Sequence, residues 1–319
     1  MFSAWEEFKK GKKKKIDVKQ FEVNIKSHLR TLHWELKNKT YRHSCYASFY
    51  IKDPKLRSIN KACVKDRVLH HAIFVVLYRI FDRLFIFDSY SSRNEKGTHR
   101  AVNRLQAFAN KISKNNTRTC WVLKCDIKKF FDSVDQEILL TLIKKQIYDR
   151  NTIWLLEKII KSFSKGIPLG NVTSQIFANI YLNELDQFVK RNLKLKYYIR
   201  YCDDFVIFSE SKNYLENIIP KINYFLGTNL KLSLHPNKIT IRKYHQGIDF
   251  LGYVSFPYNK MLRIKTMHRM FKKIQARETD FKHDKITTKS LYQTMQSYLG
   301  LLKHCNGYKI KEKLKNFIE

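Results

Sequence analysis

The segment Tyr197-Tyr-Ile-Arg-Tyr-Cys-Asp-Asp-Phe-Val-Ile-Phe-Ser209 decides the fold that this chain is expected to adopt. It places two adjacent acidic residues, Asp203 and Asp204, between two short runs of aromatic and β-branched residues. Such runs favour β-strands, and a short polar break between two of them predicts a hairpin. The sequence therefore predicts an antiparallel hairpin that carries two carboxylates at its tip.

A third acidic residue, Asp126, lies at the end of another β-prone run, Trp121-Val-Leu-Lys-Cys-Asp-Ile127. Asp-Asp alone is a common turn dipeptide. Here apolar strand residues flank the pair, and burying uncompensated charge costs several kcal/mol. Three clustered carboxylates supply the hard oxygen ligands that hold two divalent cations about 3.5–4 Å apart for phosphoryl transfer. We therefore expect a two-metal site at Asp126, Asp203 and Asp204.

The chain is strongly basic, because 62 Lys and Arg residues against 28 Asp and Glu residues give a formal net charge of +34. A field of this size attracts polyanions and releases their counterions on binding. Charge indicates nucleic acid as the partner class but names no activity, and a non-catalytic RNA-binding protein would share it. With 44% hydrophobic residues, the 319-residue chain can bury a large core in two or three subdomains.

Cysteine usage and hydropathy indicate a cytoplasmic chain. The cysteines show no Cys-x-x-Cys pair and no zinc-ligand spacing, so a reducing compartment is expected. Residues 1–16 hold no apolar segment of signal-peptide length. The apolar run 72–78 stops at Arg79, far short of the roughly 20 residues that span a bilayer. No membrane contact is expected.

Hydrophobic periodicity predicts the main helices. Apolar residues at helical spacing indicate a core-facing helix over 66–87, and a second over 173–192 with Thr173 or Ser174 as its N-cap. The lysine run 12–15 is expected to be a solvated, frayed arm, with a nucleic-acid contact as the alternative. Helices mixed with short strands indicate an α+β fold.

Tyr201-Cys-Asp-Asp204 matches the Tyr-x-Asp-Asp signature of reverse transcriptases, and other blocks resemble that family in the family's order. These blocks are Lys52-Asp-Pro-Lys-Leu-Arg57, Asp66-Arg-Val-Leu-His-His71, Asp126-Ile-Lys-Lys-Phe-Phe131, Gly166-Ile-Pro-Leu-Gly170, Ser174-Gln-Ile-Phe-Ala-Asn179, His235-Pro-Asn-Lys238 and Phe250-Leu-Gly-Tyr253. The resemblance runs from about residue 45 to 260, and the ordered blocks are far more specific than a single signature.

The resemblance implies an α+β right-hand polymerase, with fingers and palm built from an antiparallel sheet plus helices, and with a helical thumb. It predicts a basic helical extension (1–44), fingers (45–120), a palm (121–258) of which 140–170 returns to the fingers, and the thumb (259–319). It also implies an RNA-directed DNA polymerase that transfers nucleotides with two Mg²⁺ ions, for which Mn²⁺ is a substitute.

The family's motifs assign roles to individual residues of this chain. The implied metal ligands are Asp126, Ile127, Asp203 and Asp204, and the implied catalytic residues are the three aspartates with Lys238. The implied nucleotide-binding residues are Lys52, Lys55, Arg57, Phe130, Phe131, Leu169, Gly170 and Gln175. The implied primer grip is Phe250, Leu251, Gly252 and Tyr253.

Some of these roles have an alternative, either a second residue for the same role or a second role for the same residue. Phe131 is expected against the sugar of the incoming nucleotide, where it would exclude a 2′-hydroxyl. Phe130 is the competitor, since one of two adjacent residues must face the core. Lys52 or Lys55 is expected to grip the triphosphate with Arg57, because an ammonium and a guanidinium neutralise its charge. Lys238 is expected to protonate the leaving pyrophosphate, with a surface or phosphate contact as the alternative.

Two positions depart from the commonest pattern of the family. Group II intron enzymes and retrons typically have Pro-Gln-Gly where this chain has Pro168-Leu-Gly170, and proline where it has Gln175. This variant resembles the reverse transcriptases of diversity-generating retroelements, as do Asp88-Ser-Tyr-Ser-Ser-Arg93 and Lys96-Gly-Thr-His99. Leu169 lacks the amide of glutamine, so looser base selection at template adenines is expected; packing without any effect on fidelity is the alternative.

That subtype implies several partners. They are a template-repeat RNA and its RNA/DNA hybrid, dNTPs, and a small basic accessory variability protein that forms an oligomeric barrel. A bacterial, archaeal or phage-encoded origin is implied. A retron-like or phage-defence reverse transcriptase is the alternative with the same palm. A non-catalytic RNA-binding scaffold is the weaker one.

Overall fold

The computed structural model describes residues 1–52 and 55–315. Asp53 and Pro54 of the Lys52–Arg57 motif lie outside the described residues, as do residues 316–319 of the predicted thumb. The helices are α1 (Phe2–Lys9), α2 (Ile16–Val23), α3 (Ile25–Lys37), α4 (Val64–Phe81), α5 (Thr98–Ile112), α6 (Phe130–Ser133), α7 (Gln136–Lys144), α8 (Arg150–Ile160), α9 (Val172–Gln187), α10 (Lys212–Leu230), α11 (Ile264–Lys282), α12 (Thr288–Leu302) and α13 (Tyr308–Lys315). The strands are β1 (Ala47–Ile51), β2 (Arg57–Lys61), β3 (Trp121–Asp126), β4 (Tyr198–Tyr201), β5 (Asp204–Ser209), β6 (Thr240–Lys243), β7 (Ile248–Phe250), β8 (Tyr253–Ser255) and β9 (Lys260–Leu262).

The central sheet has four antiparallel strands in the order β4-β5-β3-β6. β4 and β5 form the predicted hairpin, in which Tyr201 pairs with Asp204 across a two-residue turn. β3 lies beside β5 in a register that sets Asp126 opposite Asp204. The predicted meeting of the β3 end with the hairpin tip is therefore confirmed.

Apolar side chains on both faces of the sheet explain why these short strands are stable. Leu123, Phe205 and Ile207 join a core cluster on one face, where α9 and α10 pack. Val122 and Val206 join a second cluster on the other face, where α5 packs. Each such side chain contributes about 1.5–3 kcal/mol on burial. On this second face α5 covers β4 and β5, whereas Lys124 and Asp126 of β3 and Arg242 of β6 line an open cleft.

The remaining strands form two smaller antiparallel sheets. β1 and β2 pair from Ala47 opposite Lys61 to Ile51 opposite Arg57, and this hairpin is largely exposed. β7, β8 and β9 form a three-stranded sheet that precedes helices α11 to α13. Helices mixed with antiparallel sheets confirm the predicted α+β class. No helix among the described residues has the length and apolar character that crossing a membrane requires.

The two predicted helices differ from the expectation at their ends. The first begins at Val64 and ends at Phe81, not Phe87, and a 3₁₀ turn follows it. Arg93 accounts for this end, because its guanidinium donates to the backbone carbonyl oxygens of Asp82, Ile86 and Ser89. These carbonyls have partners without a continuing helix.

The N-cap of the second helix, α9, is Asn171, so Thr173 and Ser174 were wrong as caps. Both lie in the first helical turn and are only 2% exposed. The helix passes into a π-helical turn over Phe188–Asn192, which matches the predicted end.

The lysine run 12–15 was expected to be a solvated, frayed arm: Lys13, Lys14 and Lys15 are exposed as expected, but Lys12 is not frayed. Lys12 Nζ donates to the carbonyl oxygen of Phe8 at 2.7 Å and lies 4.8 Å from the centroid of the Phe8 ring. The ring attracts the ammonium through a cation–π interaction. The run therefore forms the ordered connection between α1 and α2, and α1 packs on α4.

Candidate active site

The tip of the β4–β5 hairpin is a tight turn joined to the end of β3. Cys202 has a φ angle of 55°, a left-handed conformation that permits the two-residue reversal. The backbone N–H of Ile127 donates to the carbonyl oxygen of Asp203 at 3.3 Å. This bond and the register of β3 against β5 gather Asp126, Asp203 and Asp204 at one edge of the sheet.

Asp203 and Asp204 lie in a crowded cluster that is partly removed from water. Burial, together with the charges of Asp203 and Asp126, raises the pKa of Asp204 to about 6, although the Lys124 ammonium opposes the shift. Burial and the charge of Asp126 also raise the pKa of Asp203. Such mutual perturbation is typical of catalytic acid clusters. Cations placed among these carboxylates would favour their ionised forms.

Lys238, a predicted catalytic residue, directly contacts an aspartate in the structure: its Nζ lies 2.7 Å from Asp126 Oδ1. It is held by a short 3₁₀ turn, Pro236–Lys238, that follows His235. Within residues 1–52 and 55–315, no three His, Cys, Asp or Glu side chains form a ready-made metal-binding group. The oxygen donors at this edge are nevertheless the type that Mg²⁺ and Mn²⁺ prefer, so the donor chemistry fits these ions.

Asp126 and Asp204 open onto a cleft of about 410 Å³. The basic side chains that line it are Lys55, Lys124, Lys238, Arg242 and Arg263. Lys55 comes from the exposed β1–β2 connection, so that hairpin reaches the same cleft as the carboxylates. Lys52 and Arg57 are exposed on the hairpin and do not line this cleft. The positive wall would attract a phosphate-bearing ligand toward the aspartates.

The two adjacent phenylalanines after β3 have different surroundings. Phe130 is 2% exposed and packs in the core, with its ring centroid 6.4 Å from that of Tyr181. Phe131 is half-buried and lies beside Phe130, with ring centroids 5.3 Å apart. Phe130 is therefore the core residue of the pair, which leaves Phe131 with an accessible surface.

The segment 166–170 connects the Phe131 turn with strand β2. The N–H of Ile167 donates to the carbonyl oxygen of Phe131, and the N–H of Asn60 donates to that of Leu169, both at 2.9 Å. Gly166 has a φ of 68°, and a Cβ there would lie 2.1 Å from the Phe131 carbonyl oxygen. Only glycine permits this approach. The half-buried Leu169 is thus held between the two predicted nucleotide-binding regions.

The remaining predicted site residues lie on either side of this segment. Gln175 is exposed on the first turn of α9, and Gly170 is exposed beside β2. The primer-grip motif forms the tight turn between β7 and β8, where Leu251 and Gly252 have φ angles of 52° and 89°.

The flanking residues of that motif are buried. Phe250 joins the core, and the Tyr253 hydroxyl donates to the carbonyl oxygen of Leu301 in α12 at 3.2 Å. The motif therefore connects the central sheet region to the C-terminal helices.

Sequence reasoning missed one residue next to the aspartates. Arg200 in β4 is completely buried, forms an ion pair with Asp186 and donates to the carbonyl oxygen of Cys202. An arginine inside an apolar strand run was a usable signal, because such a charge must find buried partners.

The family model described as "Reverse transcriptase (RNA-dependent DNA polymerase)" matches residues 51–255, well over half of the chain. The chain belongs to the reverse transcriptase family. The matched residues include all three aspartates, the 166–170 segment and the primer-grip motif. The predicted family is therefore confirmed at this level.

Curated relatives of this reverse transcriptase include proteins encoded in group II introns. Protein YkfC of Escherichia coli K12 is 28% identical over an alignment of 241 positions that covers 62% of this chain and 63% of that protein. Group II intron-encoded protein LtrA of Lactococcus lactis subsp. cremoris is 24% identical over an alignment of 294 positions that covers 68% of this chain and 48% of that protein. The chain thus spans between about half and two thirds of the length of these relatives.

Solved telomerase structures share the fold. Telomerase from Candida tropicalis in complex with a TWJ fragment of telomeric RNA superposes with a TM-score of 0.54 at 15% identity, over 85% of this chain and 55% of that chain. The apo telomerase of the same organism superposes with a TM-score of 0.52 at 13% identity, over 68% of this chain and 48% of that chain. At these identities the likeness shows the fold alone, and it confirms the right-hand polymerase fold.

We predict that Asp204→Asn removes a pH-dependent destabilisation of the metal-free protein. The pKa of Asp204 is raised to about 6 in the folded protein, so the folded state binds this proton more tightly than the unfolded state does. The free energy of unfolding therefore falls as the pH rises from about 4 through about 6. A pKa shift of about two units corresponds to a loss of roughly 2–3 kcal/mol in the free energy of unfolding. Urea unfolding in EDTA should show that the free energy of unfolding falls less between pH 4.5 and pH 7.5 in the variant than in the wild type.

Glu210→Gln is the matched control, because Glu210 is exposed just beyond the other end of β5. It should leave the pH dependence of the wild type unchanged. Equal pH dependence of Asp204→Asn and wild type would contradict the electrostatic description of the cluster.

Proposed function

We propose that this reverse transcriptase is an active RNA-directed DNA polymerase whose reaction centre is the edge formed by Asp126, Asp203 and Asp204. The observation that carries the proposal is the register that sets Asp126 opposite Asp204 beside a family signature turn. A scaffold without chemistry would gain nothing from crowded carboxylates with raised pKa values. The substrates are a template RNA, a DNA primer in an RNA/DNA hybrid, and dNTPs.

The three aspartates, with the backbone at Ile127, are proposed to hold two Mg²⁺ ions. When bound, these ions activate the attacking hydroxyl and stabilise the leaving pyrophosphate. Lys238 stands beside Asp126 at 2.7 Å, where its ammonium is placed to give a proton to the leaving group. The contact with Asp126 holds that ammonium close to the reaction centre.

The fingers residues are proposed to clasp the triphosphate. Lys55 already lines the cleft of the aspartates, and Lys52 and Arg57 extend from the same exposed hairpin. Their positive charges neutralise charge on the phosphates during transfer. Phe131, Leu169, Gly170 and Gln175 are proposed to contact the sugar and base.

The four predicted regions, 1–44, 45–120, 121–258 and 259–319, are proposed as extension, fingers, palm and thumb. The helices after residue 263 supply the thumb, and the Tyr253 contact with Leu301 links them to the primer grip. The net charge of +34 suits binding along the backbone of an RNA/DNA hybrid.

We further propose that the enzyme is the polymerase of a diversity-generating retroelement. It would copy a template-repeat RNA with errors at adenines for mutagenic retrohoming, together with a small basic accessory variability protein. The support is Leu169 and Gln175 at positions where group II intron enzymes typically have glutamine and proline. The intron-encoded relatives favour a group II intron-like polymerase as the second candidate.

We expect primer extension on an RNA template with Mg²⁺, and we expect Asp203→Asn/Asp204→Asn to abolish it. Metal stabilisation of the transition state is worth several kcal/mol, so the rate should fall at least about a thousandfold. Gel-based extension of a labelled DNA primer measures the rate.

Glu210→Gln again serves as the control and should extend at the wild-type rate. Extension by the double aspartate variant would contradict the assigned reaction centre. Failure of the wild type to extend under any template, metal or partner condition would favour the RNA-binding scaffold.

We predict that Phe131→Ala admits ribonucleotides. Removing the half-buried ring opens space for a 2′-hydroxyl, so the preference for dNTPs over rNTPs should fall at least about tenfold, equivalent to about 1.4 kcal/mol. Phe130→Ala is the matched variant, and it should lower stability by about 3–5 kcal/mol because Phe130 is core. An unchanged preference in folded Phe131→Ala would remove the proposed sugar contact.

We predict that Leu169→Gln lowers misincorporation opposite template adenine. Restoring an amide at a fixed backbone position adds a hydrogen-bonding group beside the nascent pair, and one such bond is worth about 0.5–1.5 kcal/mol, or roughly two- to tenfold in error rate. Sequencing of cDNA copies gives error rates at each template base. Leu169→Met is the apolar control, and equal error rates in all three proteins would rule out the fidelity role.

A further inference from the structure

Arg200 uses every hydrogen-bond donor that a guanidinium has. Its five N–H groups bond to Asp186 Oδ1 (2.8 Å), Asp186 Oδ2 (2.7 Å), Ser89 Oγ (3.0 Å), Asn179 Oδ1 (3.3 Å) and the carbonyl oxygen of Cys202 (3.2 Å). The side chain is completely buried, as is that of Asp186. A fully saturated buried guanidinium is rigid, because any rotation would leave a donor without a partner.

The partners of Arg200 come from three separate parts of the chain. Asn179 and Asp186 lie on α9, Ser89 lies in the loop before α5, and Cys202 lies in the hairpin turn. The backbone of Arg200 adds two bonds, since its N–H donates to the carbonyl oxygen of Asp88 and its own carbonyl oxygen accepts from the N–H of Tyr90. Arg200 therefore ties strand β4 to a helix and a loop that form no part of the sheet.

The bond to Cys202 is the one that reaches the aspartates. The Cys202 carbonyl belongs to the peptide group that leads into Asp203, so fixing this oxygen fixes the plane from which the Asp203 backbone continues. Cys202 also holds a left-handed φ of 55°, which is an unfavourable conformation for a non-glycine residue. The guanidinium stabilises the turn in this unfavourable conformation.

Stability alone gives a weak reason for this arrangement. Buried ion pairs are often replaced by apolar residues with little loss of stability, because desolvation offsets the attraction. Asp186 is satisfied by two bonds from Arg200 and one from the Tyr198 hydroxyl at 2.8 Å. The bond from Arg200 to the Cys202 carbonyl is not needed to neutralise Asp186.

We propose that Arg200 is a positioning residue that sets the conformation of the Cys202–Asp203 turn and thereby the placement of the Asp203 and Asp204 carboxylates relative to Asp126. The inference rests on the proposed polymerase function, because that function gives the placement its purpose. Groups that orient metal ligands from outside the ligand shell typically change metal affinity or activity 10–100-fold when they are removed.

The test compares two substitutions at this site with one elsewhere. Arg200→Met/Asp186→Asn removes both buried charges, while the amide oxygen introduced on α9 can still accept from the Tyr198 hydroxyl. Arg200→Lys keeps the charge but has only three donors. The control is Lys65→Met/Glu35→Gln, which removes a half-buried pair, 3.2 Å long, between α4 and α3.

Each protein is assayed for thermal unfolding, for Mn²⁺ binding by electron paramagnetic resonance, and for single-nucleotide extension. We expect both Arg200 variants to unfold cooperatively, to bind Mn²⁺ about 10–100-fold more weakly, and to lose kcat by a similar factor. The KM for dNTP should stay within about twofold, because the residues that clasp the nucleotide are untouched. The control should match the wild type in all three assays.

The outcomes separate the two proposals. Wild-type Mn²⁺ affinity and kcat in a folded Arg200 variant would overturn the positioning role and leave the polymerase function intact. Weaker Mn²⁺ binding in the Arg200 variants, without primer extension by any protein, would support the positioning role and contradict the polymerase function. If the double variant fails to fold, Arg200→Lys decides the question, because its pairing with Asp186 retains the buried charge balance.

Discussion

The burial of neighbouring carboxylates, together with the repulsion between them, is the constraint on which the candidate site depends. The pairing of β3 with β5 sets Asp126 opposite Asp204, and the turn adds Asp203 beside them. Burial, and to a smaller extent the charges of the neighbouring carboxylates, raises the pKa of Asp203 and of Asp204, so their ionised forms need compensating positive charge. Nearby basic side chains supply this positive charge: Lys238 pairs with Asp126, and other basic side chains line the same cleft. The strongly basic composition of the chain therefore has a local use as well as a general attraction for nucleic acid.

Two kinds of interaction hold the carboxylates in this unfavourable place. The sheet is held by apolar packing on both faces, which is strong but does not specify the direction of a turn. Direction comes from buried polar groups with fixed geometry, such as the Arg200 guanidinium at the hairpin and the Arg93 guanidinium at the end of α4. Apolar packing supplies the stability of the fold, and the two arginines supply specific backbone conformations that packing cannot choose.

The features that the sequence predicted well are those encoded by neighbouring residues. The hairpin of residues 198–209 follows from alternating β-prone runs around an acidic break, and the two long helices follow from apolar periodicity. Features that depend on distant partners were missed or wrong. The lysine run follows α1, which packs on the distant helix α4, and the end of α4 at Phe81 depends on Arg93, which donates to the carbonyl oxygen of Asp82. Arg200 bonds to residues 89, 179, 186 and 202, and the residues next to Arg200 in the sequence do not predict which distant residues these partners are.

The 166–170 segment holds position 169, which we propose to contact the sugar and base, on a fixed backbone. Its backbone is fixed at both ends, by the bond between Ile167 and Phe131 and by the bond between Asn60 and Leu169. Only glycine fits at position 166, because any side chain there would collide with the Phe131 carbonyl oxygen. A backbone held in this way presents position 169 at the same place whatever side chain it carries, so, on the proposed function, exchanging leucine for glutamine there would change the hydrogen bonding of the site and little else. Fidelity, on the proposed function, is then a property that a single side chain can set while the carboxylates and their supports stay unchanged.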